Sequence, residues 1–262
     1  MLVIYEPKGR AKEYAPWAAN LYRGCGHGCT YCYAPKVIRM EPDEFHGSPK
    51  PRADVIEKLE KDCKSLQANR QSINVLLCFT CDPCQPINDT YRLTEKAIVR
   101  LQRYGQSVTI LTKGGKYSGP ALLLLRPGVD EYAATLTFID KAKSLEWEPG
   151  AASPEERMRM LKIAHKLGIR TWVSLEPVID PEESLRIITE TALYADQYKL
   201  GILNHHPLTK EIDWRDYAHK AIRRLNNYDK SYYIKHDLRP FLPPGTPIEY
   251  FSRNNPGAGG AE

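Results

Sequence analysis

The 262-residue chain has no apolar run near the roughly 18–20 residues that a membrane-crossing helix needs. Its first residues, MLVIYEPKGR, do not have the form of a secretory leader. It also lacks internal repeats and low-complexity linkers, which excludes solenoids and strings of small modules. Strong charge of one sign is missing as well: a net charge of +5 and a pI near 8.7 favour anionic partners only mildly. These absences lead to the expectation of a cytoplasmic protein with no membrane contact, whose seven cysteines serve as thiols or metal ligands rather than disulfides. A composition of 42% hydrophobic and 26% charged residues is that of a globular chain able to bury a core without covalent staples.

One further absence carries chemistry. Residues 25–32 read CGHGCTYC, and the spacing of Cys25, Cys29 and Cys32 puts three thiolates on one short loop. No fourth ligand completes the set. A structural zinc or an ordinary iron–sulfur cluster takes four protein ligands, so three imply a position open to another molecule. His27 is too cramped between the cysteines for easy tetrahedral closure around zinc. Gly24, Gly26 and Gly28 leave the backbone free to take φ > 0 and wrap closely around something compact.

Around this loop, apolar spacing and caps predict alternating strands and helices. Strands are expected over Asn74–Thr80, Gln106–Thr112, Glu131–Phe138, Arg170–Glu176, Gln197–Leu203 and Ser231–Leu238. Helices fall between them over Asp54–Asn69, Thr90–Tyr104, Ser153–Leu167, from Asp180, and over Asp213–Asn226. Ser153-Pro154 and Asp180-Pro181 are helix starts, and Gly168 is a stop. Cys63 reads as a buried thiol on the first of these helices. Such an order predicts an α/β fold, a partial (β/α)6 TIM-like barrel with N- and C-terminal extensions. The expected organisation is an extended lead-in over residues 1–17, one barrel domain over 18–242, and a mobile tail over 243–262.

The stretch from Asn20 to Ala34, NLYRGCGHGCTYCYA, resembles the cluster loop of radical S-adenosylmethionine (SAM) enzymes, and within them the spore photoproduct lyase-like branch. Asp82-Pro83, Gln85-Pro86, Leu111-Thr112-Lys113 and Glu148-Pro149-Gly150 leading to Arg157 resemble further pieces of that branch. The resemblance spans roughly residues 4–179. It implies a 4Fe-4S cluster held by Cys25, Cys29 and Cys32, with SAM on the fourth iron. It also implies an electron from a reductant such as flavodoxin or ferredoxin, and a 5′-deoxyadenosyl radical that takes hydrogen from a substrate. Carried over residue by residue, Tyr31 is the aromatic near the adenine and Lys113 reaches the ribose or carboxylate. Thr135, Thr137, Ser174, Glu176 and Arg157 are the other candidate cofactor contacts.

The branch's lyases have a hydrogen-donor cysteine at the position occupied here by Phe79. If the strand runs on, Cys81 points to the same side and can replace it, which makes Cys81 and Cys78 candidate catalytic thiols. Alternatives for Cys78, Cys81 and Cys84 are buried thiols without chemistry, or a second metal site. Asn204-His205-His206 and Lys235-His236 are candidate polar groups near the substrate. Substrate expectations are a nucleic acid in a lyase or repair reaction, or a peptide or protein. The competing class is a non-enzymatic, metal- or cluster-bearing module that binds nucleic acid through Lys220, Arg223, Arg224, Lys230, Lys235 and Arg239 with Tyr228, Tyr232 and Tyr233.

Overall fold

A computed structural model describes residues 2–204 and 206–252. The strands in chain order are β1 (Ile4–Tyr5), β2 (Trp17–Ala19), β3 (Tyr22–Arg23), β4 (Lys50–Pro51), β5 (Asn74–Leu77), β6 (Ser107–Thr112), β7 (Glu131–Thr135), β8 (Arg170–Leu175), β9 (Gln197–Leu200), β10 (Ser231–Ile234) and β11 (Glu249–Tyr250). Nine of them form one sheet in the order β1-β2-β5-β6-β7-β8-β9-β10-β11. All pairings from β2 to β10 are parallel, and only the flanking β1 and β11 run antiparallel. Strands β2 and β10 do not pair, so the sheet curls without closing: it is a partial TIM-type barrel.

Strand alternation explains both faces of the sheet. Val75, Leu77, Val108, Ile110, Tyr132, Val173, Leu175, Tyr198 and Leu200 point outward and are fully buried under the helices. Each such aliphatic contributes about 1.5–3 kcal/mol relative to exposure. The covering helices are Val55–Ala68, Leu93–Arg103, Pro154–Lys166, Pro181–Thr191 and Trp214–Asn227. Ser153 Oγ accepts from Glu156 N, and Asp180 accepts from the amides of Glu182 and Glu183, so both expected starts are true N-caps. The opposite parity (Thr109, Glu131, Arg170, Lys199, Tyr233) lines the lumen. Cys63 is fully buried on its helix.

Several strands stop earlier than their apolar runs suggest. β5 ends at Leu77, because Cys78 turns to φ = 64°. β7 ends at Thr135, although Leu136 and Phe138 stay buried; burial continues there after the regular ladder has ended. β9 ends at Leu200, and β10 gives way after Ile234 to a 3-10 helix over His236–Phe241.

The lead-in is not merely extended. It contains a 3-10 turn over Gly9–Glu13 that straps the gap between the sheet edges. Glu13 Oε1 accepts from His236 N at 2.7 Å and from Arg239 Nη2 at 3.2 Å, and Arg10 pairs with Asp237 at 2.7 Å. Of the expected tail, residues 253–262 lie outside the described residues. Among the described residues, no helix is long and apolar enough to cross a membrane.

Candidate active site

The cysteine loop leaves the C-terminal end of β2 and is held from three sides. Cys25 N donates to Phe45 O at 3.0 Å, and His46 Nδ1 lies 2.9 Å from Cys25 O. Fully buried Gln85 accepts from Gly26 N at 2.9 Å and donates to Gly24 O at 3.2 Å. Gly150 N donates to His27 O at 2.8 Å, and Thr30 N to Trp147 O at 2.9 Å. Gly24 and Gly28 take positive φ, whereas Gly26 does not. At Gly24 a Cβ would lie 2.6 Å from Phe45 O, so glycine is required there for space as well as conformation.

Burial pushes the thiols of Cys25, Cys29 and Cys32 above their ordinary pKa; for Cys29 the Lys113 ammonium opposes this. His27 is buried, with Nδ1 3.5 Å from Asp82 Oδ2, and so turns to a carboxylate on the β5 loop. Burial lowers its pKa against the pull of Asp82, leaving it neutral near pH 7. The same Asp82 accepts from Thr112 Oγ1 at 2.6 Å, Lys113 N at 2.7 Å and Cys84 N at 2.8 Å. It therefore fastens the end of β6, and with it Lys113, against the cysteine loop.

Half-buried Lys113 and Tyr31 form one network with buried Glu148 and Arg157. Lys113 Nζ lies 3.7 Å from Cys29 Sγ, 4.0 Å from Glu148 Oε1 and 5.3 Å from the Tyr31 ring centroid. Tyr31 donates its hydroxyl to Glu148 Oε1, and Arg157 Nη1 meets Glu148 Oε2 at 2.6 Å. Burial works against the charged forms of Lys113 and Glu148, but attraction outweighs it, chiefly from Cys29 and then Glu148 for Lys113, and chiefly from Arg157 and then Lys113 for Glu148. Arg157, expected as a cofactor contact, is spent on Glu148, on Ala152 O at 2.7 Å and on Thr135 O at 3.2 Å. It supports the wall instead.

Thr135 closes β7 and pairs with Ser174, the residue before the end of β8, and Thr137 follows in the next loop. Thr137 Oγ1 and Ser174 Oγ are buried with no hydrogen-bond partner. Glu176 lies beyond the strand, facing the strap. It accepts from the Tyr14 hydroxyl and from the Lys235 ammonium, so it is an ion-pair partner rather than a free carboxylate. Tyr14 and Tyr33 flank Phe79, with ring centroids at 5.6 and 6.4 Å, to make an aromatic mouth beside that pair.

Because β5 stops at Leu77, strand alternation does not carry the Phe79 direction to Cys81. Phe79 joins the mouth, whereas the Cys81 thiol donates to Tyr22 O at 3.5 Å and packs against Cys25, Met40 and Phe45. The Cys78 thiol bonds to Cys81 and, with burial, holds its pKa well above the ordinary thiol range. Cys84 is fully buried. Among the described residues, no group of three His, Cys, Asp or Glu converges on a single metal ion. A 4Fe-4S cluster does not require such convergence, since each thiolate meets a different iron.

Four of the six basic C-terminal residues are drawn to separate acceptors. Lys235 is buried on Glu176, Arg224 donates to Leu185 O, Arg239 to Ile234 O, and Lys220 pairs with Asp216. Tyr232 is buried and stacks on Tyr250. His206 caps a turn at Leu208 and abuts Trp147 with centroids 5.4 Å apart; His205 lies outside the described residues. Gln85, Glu148 and Tyr14 were not singled out from sequence as site residues. Gln85 and Glu148 fall inside motifs quoted above, which was the available signal.

A parallel, partly open barrel with a three-thiol loop at the C-terminal end of its first parallel strand is the architecture of one enzyme class. The model of the radical SAM superfamily matches residues 19–195, more than half of the chain, and the chain belongs to that superfamily. Its cofactors are a 4Fe-4S cluster and SAM, and it needs an electron donor. The chain is 24% identical over 221 residues to the uncharacterised protein MJ0683 of Methanocaldococcus jannaschii, covering 84% of this chain and 79% of that one. It is 25% identical over 170 residues to the uncharacterised protein Rv2578c of Mycobacterium tuberculosis, covering 62% of this chain but 49% of that one. Among solved structures, spore photoproduct lyase with bound AdoMet and dinucleoside spore photoproduct matches with a TM-score of 0.67 at 14% identity, over 88% of this chain and 79% of the other. SuiB of Streptococcus suis bound to S-adenosylmethionine matches with a TM-score of 0.59 at 11% identity, over 83% and 45%. These last two likenesses are likenesses of fold.

Proposed function

We propose that Cys25, Cys29 and Cys32 hold the cluster and that the chain uses it for hydrogen abstraction from a nucleic-acid substrate, with flavodoxin or ferredoxin as reductant. The observation that carries the reading is the loop itself: three thiols on a tightly pinned turn at the C-terminal end of the barrel, where Thr137 and Ser174 also carry buried, unpartnered hydroxyls. Buried polar atoms without a partner are rare, and two at one barrel end fit a polar ligand. The residues therefore fit both groups. When bound, the cluster and SAM together supply a 5′-deoxyadenosyl radical.

Lys113 and Tyr31 stand between the loop and Glu148, where Lys113 can meet the carboxylate of SAM while neutralising thiolate charge at Cys29. Thr135, Thr137 and Ser174 offer hydroxyls to the ribose. Arg157 positions Glu148, and Glu176 keeps Lys235 and Tyr14 in place at the mouth. Pinned on three sides, the loop keeps one orientation, and the surrounding wall excludes water from the reacting atoms. Nucleic acid as substrate is favoured by the Tyr14, Phe79 and Tyr33 rings at the mouth, since every base has a face for stacking, and by fold likeness to a lyase whose structure holds a dinucleoside spore photoproduct. Cys81 and Cys78 are kept as the candidate hydrogen-returning thiols, with the Cys81 thiol turned to Tyr22 O beside Cys25 rather than into the mouth.

The test is anaerobic incubation of reconstituted protein with SAM, dithionite and ultraviolet-irradiated oligonucleotides. Loss of a photoproduct in step with 5′-deoxyadenosine supports the reading. 5′-deoxyadenosine without any change in nucleic acid turns the substrate toward a peptide or protein.

A further inference from the structure

A cavity of about 340 Å³ lies at the other end of the lumen, away from the cysteine loop. Its wall comprises Asn74, Glu131, Arg170 and Gln197, each opening its strand, together with Lys199 and residues 12–16 of the strap. Nothing in the proposed radical chemistry uses this end, yet it contains two cations with donors left over.

Lys199 Nζ has three hydrogens to donate and gives one to Tyr14 O at 2.7 Å. It sits 4.4 Å from the Trp172 ring centroid, and no ion pair to it occurs among the described residues. Burial lowers its pKa to about 8; Glu131 opposes that shift, while Lys235 and Arg170 add to it. The Arg170 Nε is buried with no hydrogen-bond partner. Two of the wall's three carboxylates, by contrast, are answered, and the third, Glu249, acts on Lys199 only through its charge. Glu131 accepts from Arg170 Nη1 at 3.2 Å, Trp172 Nε1 at 3.1 Å and Thr109 Oγ1 at 3.2 Å. Glu13 is taken by His236 N and Arg239, and Glu249 is exposed at the rim. The Lys199 ammonium thus keeps unused donors, next to the Arg170 guanidinium, on the wall of a space large enough for a small metabolite. An uncompensated buried donor is costly, and an anion beside Lys199 satisfies it with the Arg170 charge close by.

We propose that the N-terminal end of the lumen is a second ligand site that takes a small oxyanion, a carboxylate or a phosphate ester, on Lys199 Nζ beside the Arg170 guanidinium. Tyr14 ties this site to the mouth, because its carbonyl receives Lys199 and its hydroxyl bonds Glu176. The proposal stands apart from the radical reaction and from the choice of substrate.

Titration calorimetry of the purified holoprotein, run separately with inorganic phosphate and with malonate, tests it and distinguishes the two head groups. One saturable site per chain is expected for at least one of them. Lys199→Met should weaken that binding about tenfold or more, and Lys199→Arg should stay within a few-fold of wild type. Iron content should be the same in all three proteins. Should Lys199→Met fail to fold, Arg170→Gln, whose side chain is 27% exposed, supplies the comparison and should also weaken binding. The proposal is overturned if neither anion binds the wild type saturably, or if binding is unchanged in every charge-removing variant that folds.

Discussion

Glu148 and Arg157 meet at 2.6 Å with both side chains shut off from solvent, and the second oxygen of Glu148 receives the hydroxyl of Tyr31. One carboxylate thus fixes the helix that begins at Pro154 to the residue preceding Cys32. Replacing it with glutamine leaves the Arg157 guanidinium buried without its counter-charge. Glu148→Gln should cost about 3–5 kcal/mol in urea unfolding. The pKa of Glu148 is depressed in the folded state, so its contribution is complete above the ordinary carboxylate range and is lost as pH falls through the folded value. The stability gap between wild type and Glu148→Gln should therefore shrink on acidification below about pH 4. A gap that widened with acid would contradict the ion pair.

Gly150 brings the Glu148-Pro149-Gly150 turn against the cysteine loop. A Cβ there would lie 2.4 Å from Gly26 O and 3.0 Å from His27 Cα, both backbone atoms that cannot swing away. Gly150→Ala should push the turn off the loop and lower iron retention after desalting. Gly245, where a Cβ meets nothing within 4 Å, is the control for handling losses, although its positive φ also disfavours alanine.

The Lys113 ammonium, 3.7 Å from Cys29 Sγ, stabilises the more negative, reduced state of whatever that thiolate binds. Lys113→Met should shift the midpoint potential in an EPR-monitored redox titration to more negative values and weaken SAM binding. An unchanged potential would separate Lys113 from Cys29.

Cys81 and Cys78 divide the thiol question. Cys81→Ala should keep iron content and 5′-deoxyadenosine formation but lose repaired product, with products of unquenched radicals in its place. Equal product from wild type and Cys81→Ala would reduce both cysteines to packing.

The parts of the site that were legible in sequence are those whose residues are neighbours in the chain. Cys25, Cys29 and Cys32 announce an incomplete ligand set by spacing alone. The helix starts at Ser153 and Asp180 are equally local, because a cap needs only its own first turn. What was hidden depends on distant contacts. Gln85 grips Gly24 and Gly26 from about sixty residues away, and Tyr14 reaches Glu176 across the open side of the barrel. The strand over Asn74–Thr80 read too long because Cys78 and Phe79 are apolar, and apolar character reports burial rather than hydrogen-bond pairing; that error also misdirected Cys81. The basic residues near the C-terminus read as a strip, but the fold turns four of the six to separate acceptors, among them Glu176, Leu185 O and Ile234 O.

The central claim is that the three-thiol loop builds a cluster which cleaves SAM. Its most direct test is 5′-deoxyadenosine formation under anaerobic reduction, measured with iron content on the wild type and on the Cys25→Ala, Cys29→Ala, Cys32→Ala triple variant. The account predicts about four irons per chain and 5′-deoxyadenosine from the wild type, with both lost in the variant. A wild type that carries stoichiometric zinc and leaves SAM intact, or a triple variant that still cleaves it, would contradict the account.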